Sequence, residues 1–207
     1  MAKELFNEAE LYLLRQWQSA RLMEESMESI RGKYDSLFQK TMDAFRAKHE
    51  ELNNPQVVVK QFWDTGYAGA GRKAWCSGNY NPNPGFYLYN LRLEILFDET
   101  KEAPYAYIWL GSAKKTDADL AAAREKIHLA ATKLLTREEL QRCKMDDVDK
   151  GCPLYYYLPE SRNDLLNMLT MGDGQHFADC MTAHLELLAR FTPILDEVLL
   201  KGVRAKG

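Results

Sequence analysis

No stretch of this sequence approaches the roughly 18 consecutive apolar residues that a membrane-spanning helix needs, so no such span is expected. The opening Met1-Ala2-Lys3-Glu4 meets an acid at once, with no apolar core behind it, which argues against a secretory signal and for a cytoplasmic protein. Cysteine is scarce and scattered: the four residues Cys76, Cys143, Cys152 and Cys180 form no CxxC pair. That excludes the paired-thiol metal motifs. Although an even count allows two disulfides, nothing else points to secretion, so the cysteines read as reduced thiols, most of them in the core. Positive charge is not in excess either, since 27 Lys and Arg against 30 Asp and Glu leave −3. A chain of this balance is not built as a polyanion binder, which argues against nucleic acid as the partner.

Helix breakers are missing from the first 52 residues, which hold no proline and a single glycine, Gly32. What is there instead is a heptad pattern. Apolar residues recur at Phe6, Leu13, Ala20, Met27 and Tyr34, flanked by Ala9, Met23, Ile30 and Leu37. That spacing lays one apolar stripe along a helix, as in a coiled coil or a bundle. The stripe keeps its phase across Gly32, which predicts one helix of roughly 48 residues, about 70 Å at 1.5 Å per residue. A kink at Gly32 is the alternative. Asn53-Asn54-Pro55 ends the helix, because the residue before proline is pushed out of the α region.

The pattern then changes to strands. Val57–Trp63 is β-branched and aromatic, Thr65–Gly71 reads as a glycine-rich turn, and Lys73–Cys76 as a short strand. Residues 79–85 are dense in turn formers, Phe86–Phe97 alternates as a long strand, and Tyr105–Leu110 returns. Beyond that, Thr116, Thr136 and Ser161 each precede an acid by three residues, the capping-box spacing, so helices should begin near 117, 137 and 162. A last helix follows Gly174 and runs to about Leu200, kinked at Pro193. The expected fold is α+β within a single domain. It has a long N-terminal helix or helical hairpin (1–53), an antiparallel meander of about four strands (56–112), and helices (116–203) interrupted by an extended segment at 153–159.

Four constellations hint at chemistry, and each has a plain structural reading. His176, Cys180 and His184, spaced four and four on the last helix, form a candidate metal face. The outer two stand about 12 Å apart along the axis, and Cys180 and His184 also fit the helix's core stripe. Asp64, with Glu94 or Glu99 and Lys101, loosely matches the acid and acid-x-lysine arrangement of metal-dependent nuclease cores. However, Glu99 and Lys101 fall in a polar turn, where such residues serve solubility. Gly66, Gly69 and Gly71 before Arg72 and Lys73 could cradle phosphate, but no helix start follows and neither phosphate-loop fingerprint is met. Finally, Trp63, Tyr67, Trp75, Tyr80, Tyr87, Tyr89 and Trp109 could present an aromatic sheet face to a protein, or form core.

The reading these features favour is a non-enzymatic interaction or regulatory protein without a cofactor. It would bind a protein partner through its aromatic sheet face, and self-associate or pack through its long helix, with a homodimer as one outcome. A metal-dependent hydrolase is the first alternative and a sheet-based RNA binder the second.

Overall fold

A computed structural model describes residues 8–52, 54–55, 67–75, 84–89, 103–111, 117–145, 151–172 and 174–204. By internal packing the chain divides into two units, Met1–Ser36 and Leu37–Gly207.

Helix α1 (Glu8–Arg15) and helix α2 (Trp17–Lys48) follow one another with a single residue between. The amide of Gln16 donates to Tyr12 O and that of Ala20 to Gln16 O, so the helical ladder carries through the joint. Gly32 lies inside α2 and does not interrupt it. After Lys48 a 3₁₀ turn at Glu50–Leu52 leads out of the helix, just ahead of Pro55, as the proline requires. In the second unit the apolar face of α2 is buried at Phe38, Met42 and Phe45. Phe38 meets Phe177 edge-on, with ring centroids 5.6 Å apart.

Among the described residues the sheet has six strands in the order β1-β2-β3-β4-β6-β5. They are β1 (Asn54–Pro55), β2 (Tyr67–Gly71), β3 (Gly85–Tyr89), β4 (Tyr105–Trp109), β5 (Cys143–Lys144) and β6 (Leu154–Tyr157). The first four form an antiparallel meander, with β3 and β4 on segments expected as strands and β1 and β2 on segments expected as a helix end and a turn, and every other pair is antiparallel too. Among the described residues the two outer strands are β1 and β5, and Pro55 in β1 suits an outer position, where a missing amide is not needed.

Two segments differ from expectation. The glycine-rich stretch read as a turn is strand β2, and Lys73–Trp75 is a 3₁₀ turn rather than a strand. Glycine and alanine give weak strand propensity, yet Gly69 pairs with Tyr87, whose ring occupies the space a side chain would fill. The strand reading of Val57–Trp63, and that of the long strand beyond Tyr89, lie outside the described residues.

Register sorts the sheet into two chemically distinct faces. Phe86, Leu88, Ala106, Ile108, Leu154 and Tyr156 share one face, the parity set by Phe86↔Ile108↔Leu154 and Leu88↔Ala106↔Tyr156. The other face carries Tyr87, Tyr105, Tyr107, Trp109, Tyr155 and Tyr157.

Helices α3 (Asp117–Leu134), α4 (Arg137–Gln141) and α5 (Arg162–Thr170) start where the capping spacing placed them. Thr136 with Glu139 and Ser161 with Asp164 form reciprocal capping boxes. Helix α6 (Gln175–Ala189) starts from Gly174 at φ 78°, a left-handed conformation that glycine adopts without penalty. It packs on β3 and β4, and the ring of Tyr156 beside His184 identifies the Phe86 face as the one it covers. The expected kink at Pro193 is instead a break. Helix α7 (Thr192–Arg204) begins afresh after Phe191, and Pro193 sits in its first turn, where no amide partner is lost. Among the described residues no helix is long and apolar enough to cross a membrane.

Candidate functional site

The loop that follows β6 brings Glu160 against the middle of α6. Ser161 caps α5, so the chain must turn sharply at Pro159-Glu160, and the Glu160 side chain is directed back to α6. Cys180 and His184 lie one turn apart on α6, on the side facing the sheet and α5. His184 Nε2 is 2.9 Å from Glu160 Oε2, and Cys180 Sγ is 3.5 Å from the same nitrogen. Cys180 and Glu160 are also hydrogen-bonded to each other. Among the described residues this is the one group of three potential metal ligands, its ligand atoms all within 4.8 Å of one another. His184 is buried at 6% exposure, while Cys180 and Glu160 are both half-buried, so the group is partly open to solvent. The ring of Tyr156, 5.7 Å from the His184 ring, borders the imidazole.

The electrostatics separate two kinds of chemistry. Burial, followed by the charge of Glu160 and its hydrogen bond, pushes the Cys180 thiol up to about 12. Burial also works to raise the carboxyl of Glu160, but the hydrogen bond and charge of His184 outweigh it and hold the group below its ordinary value. A thiol held protonated is a poor nucleophile. In a nucleophile–histidine–acid relay, moreover, the acid and the nucleophile use opposite nitrogens of the ring. Here both address Nε2. Such convergence on one point is what a metal centre asks of its ligands, and not what a relay asks.

The structure places the other candidates as follows. His176 is exposed and outside the group, two turns before His184. Glu160 takes the third position. Sequence spacing could not reveal it, because it lies 24 residues from His184 on a different element. Its one signal is its place just before a capping serine, where the chain has to reverse. Asp64, Glu94, Glu99 and Lys101 lie outside the described residues.

Of the aromatic set, Trp75 and Tyr87 are buried, at 4% and 0% exposure. Trp75 Nε1 donates to Asp196 Oδ1 at 2.8 Å, and Tyr87 stacks on Tyr107 with centroids 5.3 Å apart. Trp109 is half-buried, beside half-buried Tyr155 and Tyr157 of β6. Tyr67 and Tyr89 are described in backbone only, while Trp63 and Tyr80 lie outside the described residues. Cys143, Cys152 and Cys180 are free thiols; Cys152 packs with Tyr87, Tyr105 and Tyr107, and burial with the charge of Glu139 pushes Cys143 up to about 11. No protein-family model, no curated protein and no solved structure matches this chain.

Proposed function

We propose that this chain is a non-enzymatic interaction protein that assembles with further copies of itself through the helical segment before Ser36. The observation that carries the reading is the exposed apolar stripe of that unit. Leu13, Trp17, Met23, Met27 and Ile30 are each at least half exposed. A lone helix of such composition is marginal in water, and its stripe gains stability only against another surface.

The described helices of the second unit have no comparable stripe to lend. Leu120, Ala123 and Ile127 of α3, Phe177, Met181 and Leu185 of α6, and Leu195 and Leu199 of α7 are already buried. A second copy offers a stripe of the same length and the same heptad phase. Leu11, Tyr12, Leu13 and Leu14 are consecutive and exposed, so the apolar surface at this end is wider than a single stripe, with Glu8, Glu10 and Arg15 set among it. That favours a bundle with neighbours on more than one side over a two-stranded coil.

Sedimentation and light scattering of the full chain test this reading. An oligomer that dissociates on Met23→Glu with Met27→Glu, while the second unit keeps its unfolding transition, is the expected result. A monomer throughout the micromolar range would end it.

A partner-recognition face on the sheet is the second part of the reading. Its support now rests on Trp109, Tyr155 and Tyr157, the half-buried members of the tyrosine face, since Trp75 and Tyr87 are enclosed. Tyr and Trp with a partly open ring are the residues that dominate protein contacts.

A further inference from the structure

We propose that Glu160, Cys180 and His184 form a zinc site that keeps one position open to solvent. The inference is independent of the association reading, because it draws only on residues of the second unit.

The ligand set selects the ion. A thiolate and an imidazole are soft to borderline donors, which magnesium and calcium do not favour, and a single thiolate cannot hold an iron–sulfur cluster. One carboxylate and one thiolate carry two negative charges and the neutral imidazole none, so a divalent ion leaves the half-buried group neutral. Zinc accepts this mixture of sulfur, nitrogen and oxygen in tetrahedral geometry, and three protein ligands with water as the fourth is its arrangement in open sites.

The distances fit. With bonds of about 2.0–2.3 Å, neighbouring ligand atoms around tetrahedral zinc stand about 3.3–3.8 Å apart. Cys180 Sγ and His184 Nε2, at 3.5 Å, already meet that spacing from two turns of one helix. Glu160 Oε2 and His184 Nε2, at 2.9 Å, are closer because a proton lies between them, and the carboxylate has to withdraw by under an ångström. It can do so, since Glu160 sits in a loop with its side chain 21% exposed, while His184 is held on a packed helix. On binding, the thiol proton passes to solvent, and a neutral ring with its one proton on Nε2 changes tautomer, that proton leaving Nε2 while Nδ1 takes one from solvent, so the ring stays neutral. The Zn–S, Zn–N and Zn–O bonds then take the place of the hydrogen bonds within the group. Tyr156 restricts the swing of the imidazole throughout.

A histidine buried for packing alone is satisfied by one acceptor. In this group the thiol and the carboxylate both crowd the single nitrogen that would bind the ion, and that is the observation separating a site from a core hydrogen bond.

The test uses the full chain, stripped of metal by a chelator and titrated with zinc alone and, separately, with cobalt(II). One zinc per chain by native mass spectrometry, and a cobalt–thiolate charge-transfer band with the intense visible bands of tetrahedral cobalt, are expected. Loss of a direct ligand should exceed the 10–100-fold that loss of an outer partner costs, so Cys180→Ser and Glu160→Gln should each weaken zinc by more than about 100-fold. The exposed His176→Ala should leave zinc affinity unchanged. Absence of the cobalt–thiolate band in the wild-type chain, a measurement that needs no variant to fold, overturns the proposal. Zinc binding indifferent to Cys180→Ser overturns it equally.

Discussion

The ring of Tyr87 lies over the backbone of Gly69 across the β2–β3 pair, in the volume where a Cβ on residue 69 would stand. An aromatic side chain thereby covers a glycine that contributes no packing of its own, and the two together make a strand out of a segment with little strand propensity. Tyr87 in turn stacks on Tyr107, so the arrangement passes to β4 and fixes the tyrosine face as one layer.

Glycine-to-alanine substitutions at two positions should therefore act in opposite directions. Gly69→Ala drives a methyl into the Tyr87 ring and is expected to destabilise the sheet by about 1–3 kcal/mol, the usual cost of overpacking. Gly32→Ala meets open space in the interior of α2 and should stabilise by about 0.4–1 kcal/mol. Urea midpoints followed by circular dichroism decide both. A neutral Gly69→Ala would mean that Tyr87 is free to move away.

Asp196 accepts from Trp75 Nε1 through Oδ1 and from Arg72 Nη1 through Oδ2, at 2.8 and 2.6 Å, tying the turn after β2 to α7. Asp196→Ala leaves the indole N–H of a buried tryptophan without this acceptor and should cost about 1–3 kcal/mol. Asp196→Asn keeps an oxygen for one donor and should cost less. Equal losses in the two variants would show that charge on Arg72, and not the indole hydrogen bond, carries the contribution.

In metal-free protein, Glu160→Leu removes the acceptor of the buried His184 ring and is expected to destabilise by about 1–3 kcal/mol. Glu160→Gln retains an amide oxygen at that place and should be milder. Chemical unfolding in the presence of chelator makes the comparison, and identical stabilities for wild type and Glu160→Leu would remove Glu160 from the group.

Acid should weaken the capping region in a defined window. Burial raises the Glu139 carboxyl, but the backbone amide of Thr136 and then the charge and hydrogen bond of Arg190 outweigh this and hold it below 4.5. For a carboxyl depressed in the folded state, the contribution is present above the unfolded value and is lost as pH falls through the folded one. Stability of the wild type should thus fall below about pH 4.5, and Glu139→Gln should lose the part of that slope due to this carboxyl. The Asp164 carboxyl, lowered by its hydrogen bonds to the Ser161 hydroxyl and backbone, adds to the same acid slope and remains in the Glu139→Gln variant. Unfolding curves of the two proteins between neutral and acid pH measure the difference; parallel curves would contradict the assignment.

What the sequence determined by itself was local. The heptad stripe placed the N-terminal helix and carried it through Gly32, because periodicity and the lack of breakers are properties of neighbouring residues. Thr136 and Ser161 marked helix starts for the same reason, since a capping box is closed by residues three apart. Cys180 and His184 were legible as a pair because one helical turn brings them together. The tertiary structure decided whatever depends on distant partners. Strand β2 exists because Tyr87 covers Gly69, a contact between strands that no local propensity encodes. Trp75 and Tyr87 are enclosed, which alternation alone could not reveal, because it assigns residues to faces and does not say what covers a face. Glu160 completes the group around His184, and exposed His176 does not, because a third ligand is chosen by where a loop crosses a helix and not by spacing along it.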